Sequence, residues 1–240
     1  MPDLNVVKRD FPFKRGSNYY ITYKGEELIL PSVTTILSNT IPKPFLMNWA
    51  AKQAATYALA HPGISVEEAV SASTKIKDDA AGRGKAIHSW AETHARGEKL
   101  DLNDLSETLQ GYGKAFLQFI EDDKPKIGTI KGFPLTEFTV FNPEIGYAGT
   151  VDYATVTGYI YDWKTSKGIY LDHHLQQIAY LNATHILLPD RTIVKMPKFK
   201  GACLIHLRPT GGSSKHHVEG EFEDFLTVLE MYKVLQKHAF

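Results

Sequence analysis

The sequence contains a single cysteine, Cys203, among its 240 residues. One cysteine cannot form a disulfide within the chain. It also cannot supply the several thiolates of an all-cysteine zinc site or of a cysteine-ligated iron–sulfur cluster. We therefore expect no iron–sulfur cluster, and any metal site must use oxygen and imidazole ligands.

Long hydrophobic runs are also missing. No stretch of 18 uncharged apolar residues occurs, whereas a membrane-spanning helix needs about 20. The first ten residues, Met1 to Asp10, lack the apolar core of a secretory signal. We therefore expect no membrane partner and a cytoplasmic location, which for a phage-encoded protein is the cytoplasm of the bacterial host.

Neither sign of charge is in excess. The 27 lysines and arginines balance 27 aspartates and glutamates, so net charge gives no bulk attraction to nucleic acid. A local basic groove remains compatible with this balance, because screening makes the local pattern matter more than the total. Apolar residues are 43% and charged residues 22% of the chain, which is typical of a globular protein and argues against a disordered one.

Turn and capping signals divide the chain into helices followed mostly by strands. A hairpin is predicted around Lys24-Gly25, and Ser65 and Glu68 form a predicted capping box. The predicted helices cover 45–59, a segment from Ser65, 83–96, 105–120, 171–188 and 222–237; the predicted strands cover 135–141, 147–155, 159–164, 200–207 and 216–221. This order predicts an α+β fold, with a helical N-terminal part before a mixed sheet flanked by helices.

The strands over 147–155 and 159–164 flank a turn that contains Gly158, and the length of that turn decides which residues share a face. A two-residue turn would place Asp152 opposite Trp163, and Asp162 on the other face. A three-residue turn, Val156 to Gly158, lets glycine take the left-handed position and pairs Asp152 with Asp162. Lys164 then shares their face, while the other face holds Val151, Tyr153, Tyr161 and Trp163.

The three-residue turn would bring two carboxylates to within about 4.5–5.5 Å, measured between Cβ atoms. Such a pair repels unless a positive group lies between the two, and a divalent cation fits because Mg²⁺ binds carboxylate oxygens and water. Lys164 could orient water or stabilise charge on a phosphate oxygen. The alternative is an ordinary exposed hairpin face with a weak surface contact between Lys164 and Asp162.

Three short motifs give the chain a recognisable likeness: Gly149-Thr-Val-Asp152, Asp162-Trp-Lys164-Thr-Ser, and Gln176-Gln-Ile-Ala-Tyr180. With Pro31-Ser-Val-Thr-Thr-Ile-Leu and Gly84-Lys-Ala-Ile-His88, they resemble the PD-(D/E)XK nuclease superfamily in its RecB-like exonuclease branch. The likeness extends to phage exonucleases and the mitochondrial genome maintenance exonuclease. The chain departs from the iron–sulfur members of that branch, which need several cysteines.

The resemblance implies a role for each matched residue. Asp152 and Asp162 would bind Mg²⁺ or Mn²⁺ together with His88 and the backbone carbonyl of Trp163. Lys164 would be the catalytic lysine. Supporting or DNA-binding roles would fall to Gln176, Tyr180, Glu137 and Glu92.

Each supporting residue also has an ordinary explanation from the sequence alone. His88 and Glu92 share a helix face at a spacing of four residues, but a lone helix histidine is more often a surface residue than a ligand. Gln176 and Tyr180 could form a buried amide–tyrosine pair, and Glu137 could be a surface acid. We nevertheless expect that replacing Asp162 or Lys164 by alanine would abolish activity and leave the fold intact, since both would face the site outside the core.

The resemblance further implies a restriction-endonuclease-like mixed sheet flanked by helices, with an N-terminal hairpin and helical cap over residues 1–82 and the nuclease core over 83–240. The implied activity is metal-dependent hydrolysis of phosphodiester bonds at DNA ends, with a preference for single strands. DNA would be the partner, with recombination or replication proteins as further partners. The alternative is a catalytically silent relative that binds nucleic acid in the same groove.

Overall fold

The computed structural model describes residues 14–238, with side chains from residue 16 onward. The expectation about a secretory signal concerns residues outside the described range. The outer ends of the two predicted domains also lie outside it. The helices are α1 to α6: Val33–Thr40, Pro44–Ala60, Val66–Ala95, Glu107–Asp123, Leu171–Leu181 and Phe222–Lys237. The strands are β1 to β12: Lys14–Arg15, Asn18–Tyr23, Glu26–Pro31, Thr129–Ile130, Phe133–Pro134, Thr136–Asn142, Tyr147–Ala154, Tyr159–Lys164, His185–Leu187, Ile193–Lys195, Gly201–Leu207 and Ser213–His217.

Seven of these strands form one mixed sheet in the order β10-β9-β6-β7-β8-β11-β12. Neighbouring strands are antiparallel except β8 and β11, which run parallel. The N-terminal strands β1 to β3 form a second, antiparallel sheet. Together with the helices, this arrangement confirms the α+β class.

The turn between β7 and β8 contains three residues, as the position of Gly158 predicts. Tyr153 pairs with Tyr161 and Ala154 with Ile160, so Asp152 lies opposite Asp162. Gly158 has a φ of +88°, a conformation that glycine adopts without the strain that a Cβ would add. The predicted register is therefore confirmed.

Helices cover both sides of the large sheet. On one side, α3 and α4 pack against the aromatic residues of β7 and β8, namely Tyr153, Tyr161 and Trp163. On the other side, α1, α5 and α6 enclose a larger apolar cluster. Val151, which strand alternation groups with the aromatic residues, is buried in this larger cluster instead.

Two helix predictions are wrong in their extent. The segment from Ser65 and the helix over 83–96 are one helix, α3, because Gly82 and Gly84 adopt right-handed backbone angles within it. The capping box at its start and the buried side chains near its end stabilise the helix on either side of these glycines. It ends before Gly97, as predicted.

The predicted helix over 171–188 is also too long, because α5 ends at Leu181. Residues His185–Leu187 form strand β9, which pairs with β6 on the side away from β7. Short apolar runs fit a helix or a buried strand equally well, so pairing with β6 decides the outcome.

The N-terminal hairpin lies on the sheet, since Tyr19, Ile21 and Leu30 share a small core with residues of β6, β7 and β9. The division into domains at residue 82 stays a prediction. No helix within residues 14–238 is long and apolar enough to cross a membrane.

Candidate metal centre and active site

The two aspartates of the β7–β8 hairpin lie under helices rather than on an exposed face. Asp152 is 7% exposed and Asp162 is 1% exposed. The backbone N–H of Trp163 donates to Asp152 Oδ2 over 2.9 Å. The expectation that Asp162 lies outside the core is therefore wrong, because the hairpin pattern alone does not show that α5 covers this strand.

Lys164 is held by two neighbours at the end of β8. Its Nζ lies 2.6 Å from Asp162 Oδ2 and donates to Gln176 Oε1 over 3.0 Å. The amide of Gln176 in turn donates to the Tyr180 hydroxyl over 3.0 Å. The structure thus brings Gln176 and Tyr180 to the lysine, and their chain of hydrogen bonds fixes the direction of the ammonium group.

The motif that ends at Tyr180 packs closely against the backbone of Gly149, which belongs to the first motif. A Cβ added to Gly149 would lie 2.2 Å from Cε1 of the Tyr180 ring, which is closer than any side chain permits. Gly149 therefore leaves the space that the Tyr180 ring fills. A larger residue at position 149 would displace this ring.

Gln177 is a site residue that the sequence reasoning missed. It is 1% exposed, and its amide donates to Asp162 Oδ1 over 3.0 Å. The available signal was a polar residue between the apolar positions Leu175 and Ile178 of the helix. Asp162 therefore accepts a hydrogen bond from Gln177 on one carboxylate oxygen and forms an ion pair with Lys164 through the other.

His88 reaches the hairpin from α3. Its Nε2 lies 2.7 Å from the Trp163 carbonyl oxygen, and its Nδ1 lies 3.2 Å from Asp152 Oδ2. Burial, the largest single influence, favours the neutral imidazole. The charge and hydrogen bond of Asp152 and the charges of Asp162 and Glu137 together outweigh it and raise the pKa of His88 to about 9. His88 is thus positioned by an acceptor on each ring nitrogen.

Glu137 on β6 completes this group in an unusual backbone conformation. Its φ is +45°, the only such value within a β-strand among the described non-glycine residues. Thr136 pairs with Tyr153 and Phe138 with Val151. Glu137 lies between these two pairs and therefore opposite Asp152. Glu137 Oε1 lies 3.9 Å from His88 Nδ1. Burial, together with the charge of Asp152, raises the pKa of Glu137 to about 8.

Three side chains have the spacing of metal ligands. One ligand atom each from His88, Glu137 and Asp152 lies within 4.8 Å of the others. Their carboxylate and imidazole atoms suit a divalent ion, and the crowding that raises the Glu137 pKa is the repulsion that a cation would relieve. This donor set could hold a metal ion, with the Trp163 carbonyl beside it.

Two of the predicted site residues stand apart from this donor set. The Asp162 carboxylate is occupied by Lys164 and Gln177, and burial, aided by Asp152, raises the pKa of Asp162 to about 6. Glu92 forms an ion pair with Arg96 one turn along α3. The carboxylate of Glu92 still acts on Glu137 through charge repulsion, so it borders the site electrostatically.

Comparisons with known proteins identify no family. No family model matches the chain, and no curated protein does. Among solved structures, one similar chain is the crystal structure of SSO0001, with 12% identity and a TM-score of 0.34. The match covers 86% of this chain and 85% of that chain. A likeness this weak indicates neither a family nor a function.

Proposed function

We propose that this protein is a metal-dependent DNA exonuclease that hydrolyses phosphodiester bonds, with the restriction-endonuclease-like fold of the PD-(D/E)XK nucleases. The observation that carries the proposal is the position of the Lys164 ammonium, 2.6 Å from Asp162 and on the same sheet face as Asp152. A lysine beside two opposed acids suits chemistry on a phosphate, because it can offset charge that develops on a phosphate oxygen.

Mg²⁺ or Mn²⁺ is the proposed cofactor. His88, Asp152 and Glu137 would hold the ion, with the Trp163 carbonyl as a neighbouring oxygen donor, while Asp162 would remain paired with Lys164. When bound, such an ion polarises a phosphoryl oxygen and makes water more acidic. An imidazole in the donor set favours Mn²⁺ somewhat over Mg²⁺.

The remaining side chains prepare the site for the substrate. Gln177 fixes one oxygen of Asp162, so the other oxygen stays directed toward Lys164. Gln176, steadied by Tyr180, keeps the lysine at the end of β8 where a phosphate could approach. Because these groups are positioned before the substrate arrives, little reorganisation is needed when charge develops.

Digestion of matched DNA substrates tests this proposal. We expect linear DNA to be degraded with Mg²⁺ or Mn²⁺, single strands faster than duplexes, and no degradation with EDTA. Circular single strands of the same sequence are the control, because an exonuclease needs an end. DNA that is bound but left intact under every metal condition would contradict the proposal and favour the catalytically silent alternative.

A further inference from the structure

A row of polar side chains extends the catalytic face of the sheet toward its β12 edge. We propose that Arg208, Ser214 and His216, hereafter the edge strip, bind DNA phosphates. These phosphates belong to the strand that is cleaved and are close to the scissile phosphate. This inference rests on the proposed function, since it assigns the path of the substrate relative to Lys164.

Strand register places two residues of the edge strip, Ser214 and His216, on the same face as the candidate active site, and Arg208 joins them through its hydrogen bond to Ser214. Asp162 pairs with Leu204, which pairs with His216. Lys164 pairs with His206, which pairs with Ser214. Paired residues point to the same side of a sheet, and two strand spacings amount to about 10 Å. Phosphates near the scissile one could therefore reach the strip.

The edge strip is a linked chain of hydrogen-bonding groups that carries positive charge. Arg208 donates through one guanidinium nitrogen to Ser214 Oγ over 3.1 Å, and this oxygen lies 2.9 Å from His216 Nε2. Arg208 and His216 are exposed. Burial, with the charges of His206, Arg208 and His174, lowers the pKa of His216, so the positive charge of the strip is that of Arg208 and His216 contributes a hydrogen-bonding group. Such a surface suits a polyanion.

Arg208 projects from a turn that is fixed in place. The Arg208 N–H donates to Gly212, and the Gly211 N–H donates back to the Arg208 carbonyl. The turn also lies directly on α4, where a Cβ on Gly111 would be 1.7 Å from the Pro209 carbonyl oxygen. A guanidinium on a fixed turn loses less freedom when it binds a phosphate than one on a loose loop.

His206 connects the edge strip to the candidate active site. It is 9% exposed, and its Nε2 lies 2.7 Å from the carbonyl oxygen of Ser166. Ser166 belongs to the segment that follows Lys164, so one side chain holds this segment beside the strip. The two features are therefore parts of one surface.

Binding measured without cleavage tests the edge strip. A labelled single-stranded oligonucleotide of about 20 nucleotides, longer than a typical binding site, is titrated by fluorescence anisotropy in EDTA at several salt concentrations. We expect Arg208→Gln to weaken binding about tenfold, and to lower the slope of log affinity against log salt by roughly 0.7. Arg208→Lys should keep most of that slope, because it keeps the charge.

Lys195→Gln is the matched control, since it removes one exposed positive charge at the opposite edge of the same sheet, on β10. It should leave affinity and salt slope nearly unchanged. If Arg208→Gln binds like the wild type, or if both variants lose affinity equally, the edge strip is refuted. Thermal unfolding of each variant checks that the fold is retained.

Failure of the strip and failure of the proposed function give different results. If the wild type binds the oligonucleotide through Arg208 but degrades no DNA with any metal, the strip stands and hydrolysis is rejected. If the wild type degrades DNA while Arg208→Gln binds normally, hydrolysis stands and the strip is rejected. A wild type that binds no oligonucleotide at all would also refute the strip.

Discussion

The two faces of the β7–β8 hairpin are both buried, but one carries packed aromatic rings and the other carries charged carboxylates. On one face, Trp163 meets the rings of Phe116 and Phe119 edge-on at centroid distances of 5.1 and 5.8 Å. On the other face, Asp152 and Asp162 are crowded by charge. The aromatic face gains free energy from burial, whereas burial of the carboxylate face is costly unless every charge is compensated.

This difference makes the aromatic face the candidate for stability and the carboxylate face the candidate for the proposed chemistry. The Tyr161 hydroxyl on the aromatic side donates to Asp123 over 2.8 Å and receives a hydrogen bond from Lys215 over 3.0 Å. Burial raises the pKa values of Tyr153 and Tyr161 further above neutral pH. On the carboxylate side, by contrast, the pKa values of Glu137 and Asp162 are raised toward neutral pH and that of His88 to about 9. Clusters of perturbed titratable groups in proteins are concentrated at functional sites.

The largest expected effect comes from the carboxylate face. Asp162→Asn keeps the shape of a buried side chain, which alanine does not, and removes the charge that faces Lys164. We expect cleavage to fall at least about 1000-fold, with a small change in thermal unfolding. Tyr161→Phe on the opposite face is the control and should retain activity. Near wild-type cleavage by Asp162→Asn would show that the opposed carboxylates are not needed for chemistry.

Trp163→Ala changes the aromatic face and should have the opposite effect, with a large loss of stability. Removal of a buried indole lowers the free energy of unfolding by about 3–5 kcal/mol, while the backbone carbonyl near His88 is retained. Urea unfolding measures the change. If stability falls by less than about 1 kcal/mol, the aromatic face is not the stabilising half of the hairpin.

His88 contacts both the carboxylate of β7 and the backbone of β8, so its loss should affect metal binding more than folding. We expect His88→Ala to weaken Mn²⁺ binding about 10- to 100-fold, measured by calorimetric titration, and excess Mn²⁺ to restore part of the activity. The exposed His61 provides a matched control through His61→Ala. An unchanged titration curve would show that His88 is not a metal ligand.

The metal-free protein should lose stability as pH rises. Folding raises the pKa of Glu137 to about 8 and that of His88 to about 9. Both groups therefore bind protons more tightly in the folded state, and the stability they contribute is lost as pH increases through these values. Thermal unfolding in EDTA should show a falling midpoint between about pH 5 and 9, with a shallower fall in Glu137→Gln. A midpoint independent of pH would contradict the crowding argument.

The smallest expected effect separates strain from charge at Glu137. Glu137→Gly should raise the free energy of unfolding by about 1 kcal/mol relative to Glu137→Gln, because only glycine relieves the left-handed backbone. Both variants should bind Mn²⁺ more weakly than the wild type. Equal stabilities of the two variants would indicate that the backbone of β6 is not strained at this position.

Local sequence signals predict much of the fold and part of the site. Ser65 with Glu68 begins a helix as expected, and Gly158 sets the register that places Asp152 opposite Asp162. The same local signals fail for β9, which reads as the end of a helix until it pairs with β6. They also fail for Gln177, whose polarity does not indicate that it faces Asp162.

The sequence by itself determined the β7–β8 register and the shared face of Asp152, Asp162 and Lys164, because turn chemistry and strand alternation act over a few residues. Only the tertiary structure decided that His88 lies at the Trp163 carbonyl, 75 positions away in the chain. The same holds for the left-handed Glu137 beside Asp152 and for the continuation of the face that carries Asp162 and Lys164 to His216. These contacts depend on how α3, β6 and β12 pack against the hairpin, and packing between distant segments leaves no local pattern in the residues that make it.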